Sequence, residues 1–562
     1  MNEKYVVGID FGTLSGRAVV VRVSDGKELG VASAKYRHGV MDRKLTAGDG
    51  RALPPDYALE VPSDYIEVLK TAVPAALAEA KIDPGSVIGI GTDFTSATMI
   101  PTKKDGTPLC ELPEFASNPH AYAKLWKHHG AQEQTERCIA VAEARGEMWL
   151  ARYGGRLSSE IVIPKALETL EKAPEVYDAA DFYVEAVDWI VWRLTGQLVH
   201  SAAPAGYKAL RQNDQYPSTE FFAAVNPGFE TFIADKYDAP VLQLGERAGE
   251  LTEEAAEWMG LPAGIPVAVG QIDAHVTAPA AQAVEPGQMT AILGTSNVFI
   301  VNGRTSRDIQ GCFGIVNGGI SAGLWGYEGG QSGAGDIFAW FTENCVPEAY
   351  EVEARELGQS VHELLSQKAG EQEIGQHGLV ALDWHNGNRS ILIDQSLSGL
   401  IVGLTLQTSP EDIYRALLES TAFGMRVIIE NFRNHGVDIR EIVAAGGLLK
   451  NKLLMQMLAD ITRLPMSISV SEQAPALGAA IYGAVAARAY PDVYEASRHM
   501  GAKIAEAYVP NPVASAKYDR LYAEYLQLHD YFGRGGNEVM HRLKAIQADA
   551  VSSRQSRRQQ PK

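Results

Sequence analysis

Gly8-Ile9-Asp10-Phe11-Gly12-Thr13-Leu14-Ser15-Gly16-Arg17 stands near the start of the chain, between Tyr5-Val6-Val7 and the apolar run Ala18 to Val21. The pattern is strand, tight polar turn, strand, and Asp25-Gly26 supplies the next turn. A carboxylate at a strand end, beside glycines and hydroxyls, suits phosphate chemistry. Backbone N–H groups and hydroxyls cradle phosphate oxygens, while Asp10 holds the Mg²⁺ that neutralises them. An ordinary hairpin with a turn aspartate fits the same residues equally well, so the rest of the chain has to decide.

The same grammar returns after Glu285-Pro286-Gly287-Gln288 breaks the chain. Met289-Thr290-Ala291-Ile292-Leu293-Gly294-Thr295-Ser296-Asn297 is again an apolar strand, a Gly-Thr turn and a second apolar strand, Val298 to Val301. Two hairpins of one design, each opening one half, indicate a duplicated architecture with a nucleotide clamped between the halves. Further on, Ile442-Val443-Ala444-Ala445 leads through Gly446-Gly447 into a helix with Leu453, Leu454, Met457 and Leu458 on one face. Paired glycines there let a flat ring approach the backbone, as adenosine would; a close-packed turn is the plainer alternative.

Two other strand ends carry polar groups. Val87 to Gly91 delivers Thr92-Asp93-Phe94-Thr95-Ser96-Ala97-Thr98, whose hydroxyls suit a polyol or sugar, ligands of open α/β sheets binding at such ends. Pro262 to Gly270 delivers Gln271-Ile272-Asp273-Ala274-His275. Asp273 is placed to take a proton from a substrate hydroxyl; His275 competes, but phosphoryl transfer to alcohols is commonly assisted by an aspartate. The glycine-rich Trp325 to Asp336 matches neither the P-loop nor the dinucleotide fingerprint, and no such match occurs elsewhere.

Length, charge and cysteines narrow the class. A chain of 562 residues exceeds one core. Its formal net charge of −19 argues against nucleic acid or an anionic membrane as partner. Cys110, Cys138, Cys312 and Cys345 are scattered without a C-x-x-C pair, which fits free thiols in a reducing, cytoplasmic setting. Met1 to Lys4 shows no signal-peptide pattern. Ala474 to Ala487, interrupted by Pro475, Gly478 and Gly483, is too short for a bilayer and reads as a buried helix.

The remaining segments read as follows. Lys35 to Leu59 is an elaborated surface loop, and a helix follows from Ser63. Asn118-Pro119 to Leu150 is helical and polar, with His128 and His129 on different faces and solvated. Ser158 to Leu170 and Asp181 to Leu194 are helices, Lys208 is by pattern an ordinary surface lysine, and Asp383 to Arg389 is a polar turn on a surface or cleft rim. Ser409-Pro410-Glu411-Asp412 starts a helix. Residues 1–284 and 285–545 are expected as two domains, with 546–562 a basic, disordered tail.

Gly8 to Arg17, Gly270 to Asp273, Leu293-Gly294-Thr295-Ser296 and Ala445-Gly446-Gly447 together resemble the FGGY carbohydrate kinases over nearly the whole chain, as does Gly399 to Leu404 with the helix behind it. That resemblance implies an α/β fold of the two-domain, actin-like (ribonuclease H-like) ATPase type, mixed sheets flanked by helices around a central cleft. It implies ATP and Mg²⁺ as cofactors, with Asp273 as catalytic base. Asp10, Thr13, Arg17, Thr295, Gly446, Gly447 and Asn451 fall at the nucleotide, and Asp10 and Asp273 at the metal. Ser96, Ala97, Lys208, Asp273 and Glu328 fall at the sugar. Runs outside the nucleotide site, including Leu125 to His129, Gly206-Tyr207-Lys208, Tyr327 to Ser332 and Leu382 to Gly387, imply phosphorylation of L-ribulose in L-arabinose catabolism. Kinases of D-ribulose, D-xylulose or ribitol are the rival within the family, and a non-catalytic actin-like ATPase or sugar sensor the rival outside it. A homo-oligomer is compatible with either.

Overall fold

The computed structural model describes residues 3–559, with side chains to residue 550. Two mixed sheets, each seven-stranded, form its centre. The first holds β1 (Tyr5–Phe11), β2 (Ser15–Arg22), β3 (Glu28–Lys35), β4 (Val87–Phe94), β5 (Arg247–Glu250), β6 (Pro266–Ala268) and β7 (Gln271–Ile272). The second holds β8 (Gly287–Leu293), β9 (Asn297–Gly303), β10 (Gly314–Asn317), β11 (Trp325–Gln331), β12 (Ile439–Ala445), β13 (Met466–Ser469) and β14 (Lys503–Tyr508). In the first, an antiparallel meander β1–β2–β3 lies beside parallel β4, which takes β6 and β7 in parallel. In the second, β8 pairs antiparallel with β9 and parallel with β12, which takes β13 in parallel. The expected duplication is this shared pattern.

The helices that position the site are α1 (Ser63–Ala80), α2 (Val162–Lys172), α3 (Asp273–Ala280), α4 (Pro410–Asn434), α5 (Lys452–Thr462), α6 (Ala474–Ala486) and α7 (Val539–Gln559). All of β1 is buried because both faces of its sheet are covered. Val7 and Ile9 pack with Leu69 and Val73 of α1, while Val6 packs with Ala476 and Ala480 of α6. Gly8 explains the second contact: a Cβ there would stand 1.8 Å from the Ala476 carbonyl oxygen, so only glycine lets helix and strand approach. Thus α6, though late in the chain, covers the N-terminal sheet, and a division at residue 285 separates it from the sheet it packs on.

A third core fills an insertion of the N-terminal half, built from residues such as Leu45, Leu59, Leu109, Ile139, Ile163, Leu167, Phe222 and Phe229. It corrects several expectations. Lys35 to Leu59 is irregular, but Met41, Leu45, Leu53 and Tyr57 are buried in this core. The span 118–150 is not one helix: a 3₁₀ turn Pro119–Ala121 and the short strand Ala123–Lys124 precede the helix Gln132–Arg145. His128 and His129 lie between those elements. Neither is on a helix: His128 is fully buried with Nε2 2.9 Å from Glu168, against the solvated position expected, whereas His129 is exposed as expected and meets Ser159 Oγ at 3.0 Å. Asp181 to Leu194 divides into a strand Phe182–Glu185 and a helix Ala186–Thr195.

Ser409 caps α4 as expected, its backbone N–H donating to Asp412 at 2.8 Å in a capping box with Pro410 behind it. The tail expected without structure from residue 546 instead continues α7 to Gln559, in keeping with its Ala, Gln and Arg content; residues 560–562 lie outside the described residues. Among the described residues no helix is long and apolar enough to cross a membrane. Cys110, Cys138 and Cys312 are buried free thiols, and Cys345 is an exposed one.

Candidate active site

The strand ends of the two sheets face one cavity of about 360 Å³, lined by Asp10, Thr13, Arg17, Ser96, Asp273 and Glu328 among others. Asp10 ends β1 and is paired in register with Asp93 of β4, which in turn pairs with Gln271 of β7, two residues before Asp273. Asp10, Asp93 and Asp273, from distant segments, are therefore neighbours along one edge of the sheet. Burial, and then the neighbouring Asp10 charge, pushes the Asp273 carboxyl up to about 7. Burial raises Asp10 as well, against the Arg17 guanidinium 3.0 Å away. Asp93 is fully buried, neither oxygen meets a donor, and burial followed by the Asp10 charge drives its carboxyl far up. Such a cluster calls for a cation or protons.

Asp273 opens α3, where its Oδ1 accepts from the Ala274 N–H at 2.7 Å and the helix N-terminus favours its ionised form. The proposed rival, His275, is buried with Nε2 3.1 Å from Glu328 and Nδ1 3.2 Å from the Gly319 carbonyl. Both nitrogens are engaged, which leaves His275 to fix Glu328. Arg389 Nη2 lies 2.9 Å from the other Glu328 oxygen, and its guanidinium sits 4.1 Å from the Phe313 ring centroid. Lys208 Nζ stands 3.9 Å from Glu328, so this lysine is buried behind the cavity wall rather than on the surface. Burial works to raise the Glu328 carboxyl, but Lys208, His275 and Arg389 together hold it well below the usual range.

On the C-terminal sheet, Ile292 of β8 and Ser296 after it reach the same cavity. Thr295 is exposed in the β8–β9 turn, its carbonyl accepting from the Ala334 N–H at 2.9 Å. On the same sheet, β12 is followed by Gly446 at φ 105°, where a Cβ would stand 2.4 Å from the Leu293 carbonyl oxygen. A Cβ on Gly447 would meet nothing within 4 Å, so the double glycine forms an open, exposed shelf; Thr295, Gly446, Gly447 and Asn451 are not among the residues lining the cavity. Asn451 caps α5, its Oδ1 accepting from the Leu454 N–H at 3.0 Å, while Nδ2 donates to Ser366 at 3.1 Å. Its side chain is thus committed to the helix start at the edge of the shelf. Ala97 lies behind Ser96, with no side chain among those lining the cavity.

The sequence reading did not single out Asp93, Trp126, Glu160 or Arg389 as site residues. Trp126 lines the cavity and donates from Nε1 to Thr13 Oγ1 at 3.2 Å; Glu160 and Arg389 line it too. The Asp383 to Arg389 turn is only partly on the rim. Asp383 is buried, pushed up to about 6 by burial, and accepts from Gln331 at 2.7 Å and from the Tyr525 hydroxyl at 2.8 Å.

Two α/β halves of one pattern, a Gly-Thr hairpin turn in each and an acid-lined hollow at their strand ends define a two-domain sugar kinase fold. The solved structures agree on the fold: a ligand-bound xylulose kinase from Lactobacillus acidophilus superposes with a TM-score of 0.75 at 19% identity, covering 94% of this chain and 98% of that one. A glycerol kinase with ADP from Plasmodium falciparum gives 0.73 at 16% identity, over 93% and 98%. The family models for the N-terminal and C-terminal domains of the FGGY carbohydrate kinases match residues 5–279 and 289–487, and the chain belongs to that family. It is 57% identical to a ribulokinase from Mycolicibacterium smegmatis over 97% of both chains. It is 48% identical to a ribulokinase from Geobacillus thermodenitrificans over 99% of both. The chain is accordingly a carbohydrate kinase that uses ATP and a small sugar.

Proposed function

We propose that this kinase transfers the γ-phosphoryl group of MgATP to the terminal hydroxyl of L-ribulose, giving ADP and L-ribulose 5-phosphate in L-arabinose catabolism. The observation that carries the mechanism is Asp273, facing the same cavity as Asp10 with its carboxyl pushed up to about 7. A base with that affinity takes the hydroxyl proton at neutral pH as the oxygen attacks phosphorus, and it is matched to the operating pH. Positioning and electrostatics supply most of the remaining rate, which suits a cleft that closes and sheds water. Ribulose rather than another pentulose is supported by the ribulokinase relatives over essentially the full chain.

In this reading Ser96, Glu328 and, behind them, Lys208 and Ala97 form the sugar side. Thr13, Arg17 and Thr295 form the phosphate turns, and Gly446, Gly447 and Asn451 the adenosine shelf. Among the described residues no three His, Cys, Asp or Glu side chains converge as a metal cage. Mg²⁺ takes one or two carboxylates and completes its shell with water and phosphate, so Asp10 with Asp273 nearby is a sufficient protein contribution. The donor-free Asp93 oxygens next to Asp10 add to the negative charge that a cation would relieve. When bound, the metal neutralises phosphate charge. The unpaired cysteines fit a reducing cytoplasm.

The deciding experiment is ADP release measured over L-ribulose, D-ribulose, D-xylulose and ribitol, with kcat/KM for each. L-ribulose is expected to lead. Another sugar in front assigns the rival kinase, and ATP hydrolysis that no sugar accelerates overturns the kinase reading in favour of a sensor or bare ATPase.

A further inference from the structure

Lys165, on α2, is fully buried, yet the chemistry above does not use it. Its ammonium donates to three backbone carbonyls: Ala97 at 2.6 Å, Leu125 at 2.7 Å and Lys124 at 3.3 Å. Each of the first two adjoins a residue of the cavity wall. Ser96 precedes Ala97 and lines the cavity; Trp126 follows Leu125, lines it as well, and holds Thr13 in the phosphate turn. Ala97 itself sits at φ 60°, in the left-handed region an alanine rarely adopts. On the other side of this residue, burial raises the Glu185 carboxyl, and the Lys165 charge and, more weakly, the Ala97 N–H pull it back towards its ionised form. Thr95 and Thr98 close the turn hydroxyl to hydroxyl at 3.1 Å.

Burying an ammonium against backbone carbonyls is costly, and the nearby Glu185 and Glu160 charges offset only part of that cost. What the ammonium supplies is a fixed distance between two walls and a backbone conformation that would otherwise relax. We propose that Lys165, with Glu185 opposite, is a positioning residue for the sugar: it clamps the Thr95–Thr98 turn in its left-handed form and ties it to the Trp126 wall, setting Ser96 against the bound pentulose. Burial lowers the Lys165 ammonium to about 7 and raises the Glu185 carboxyl to about 8, while each charge draws the other back towards its ionised form. Lys165 touches neither the nucleotide shelf nor Asp273; its tie to Ser96 runs through the adjoining Ala97, while its tie to Thr13 passes through the Trp126 side chain, so its loss falls mainly on the sugar.

The inference rests on the sugar-kinase reading, which the sugar panel with the unaltered protein tests separately. Its own test is Lys165→Met, with the fold checked by circular dichroism and melting, and steady-state constants measured for sugar and ATP in turn. The sugar KM is expected to rise roughly tenfold or more while the ATP KM stays within about twofold, and the preference for the best pentulose over its epimers to shrink. Lys165→Arg keeps a charged donor and is expected to recover part of the loss. An unchanged sugar KM in folded Lys165→Met overturns the proposal, as does an equal rise in both KM values, which marks general loosening. If Lys165→Met does not fold, Glu185→Ala, which removes the partner of the Ala97 N–H, is read by the same split: a selective rise in sugar KM supports the clamp, and no selective rise refutes it.

Discussion

Replacing Asp273 with asparagine should make the protein more stable and nearly inactive, two effects in opposite directions from one side chain. The carboxyl is displaced from 3.8 to about 7 by burial and by Asp10. That displacement corresponds to at most roughly 4 kcal/mol of disfavour for the ionised form, reduced because the group opens onto the cavity where solvent screens it. The folded protein holds this proton more tightly than the unfolded chain between about pH 4 and 7, so wild-type stability falls as pH rises across that window and stays low above it. Asparagine carries no such charge, so the substrate-free variant should melt higher than wild type at pH 8, with the gap closing towards pH 4. Turnover should fall by about 10² to 10⁴. In wild type, kcat/KM for the sugar should lose about tenfold per pH unit below 7, and the variant's residual rate should be flat there. Melting at several pH values and a pH–rate profile for both proteins check this. A variant that keeps turnover within tenfold of wild type, or that retains the acid limb, would remove Asp273 as the base.

Other substitutions separate sugar, nucleotide and scaffold. Glu328→Gln leaves Lys208 and Arg389 without their counter-charge and should raise the sugar KM about 10- to 100-fold while lowering the melting temperature; an unchanged KM would take Glu328 out of the sugar wall. Gly447→Val projects into open space, so folding should change by no more than about 0.5 kcal/mol, but the ATP KM should rise about tenfold because the shelf is filled. Gly8→Ala forces a Cβ to within 1.8 Å of the Ala476 carbonyl oxygen, a backbone contact that cannot yield cheaply, and should cost about 3 kcal/mol or more in denaturant titration. Chelation of divalent ions should abolish sugar-dependent ADP release, and added Mg²⁺ should restore it.

How much of this was legible in the chain depended on whether the signal was local. Asp10 and Asp273 stood out because a strand end beside glycine and hydroxyls is a short pattern, and the family resemblance rested on such patterns. Asp93 was quoted but passed over, since its meaning comes from the register that sets it opposite Asp10 across β1 and β4. Arg389 lies 61 residues from its partner Glu328, and nothing in a polar turn tells which cleft it enters. Lys165 was hidden by a helix whose other residues are mostly core, and His128 by the assumption that a polar segment is solvated. The histidine is buried because Glu168 and Lys124, 2.7 Å apart, form a polar core that only the folded insertion assembles.

The exchange of helices between the halves gives the cavity its logic. α6 comes from the C-terminal part of the chain and packs on the N-terminal sheet, while Ala278 of α3, from the N-terminal part, packs with Ile300 and Ile320 of the C-terminal half. The two helices meet so closely that a Cβ on Gly478 would stand 1.8 Å from the Val276 carbonyl oxygen. Arg17 adds a polar tie across the same seam, donating to Gln473 at 2.9 Å just before α6. This crossed pair ties the two halves together, and Asp273 occupies the first position of one of its members. Glu328 is tied to the same helix through His275 at 3.1 Å, so this part of the cavity wall and Asp273 share one anchor, whereas Gly447 stands exposed beyond the end of β12. With that anchor the proton acceptor can stay registered with the sugar when the nucleotide is bound, which is the order of precision that an in-line transfer requires.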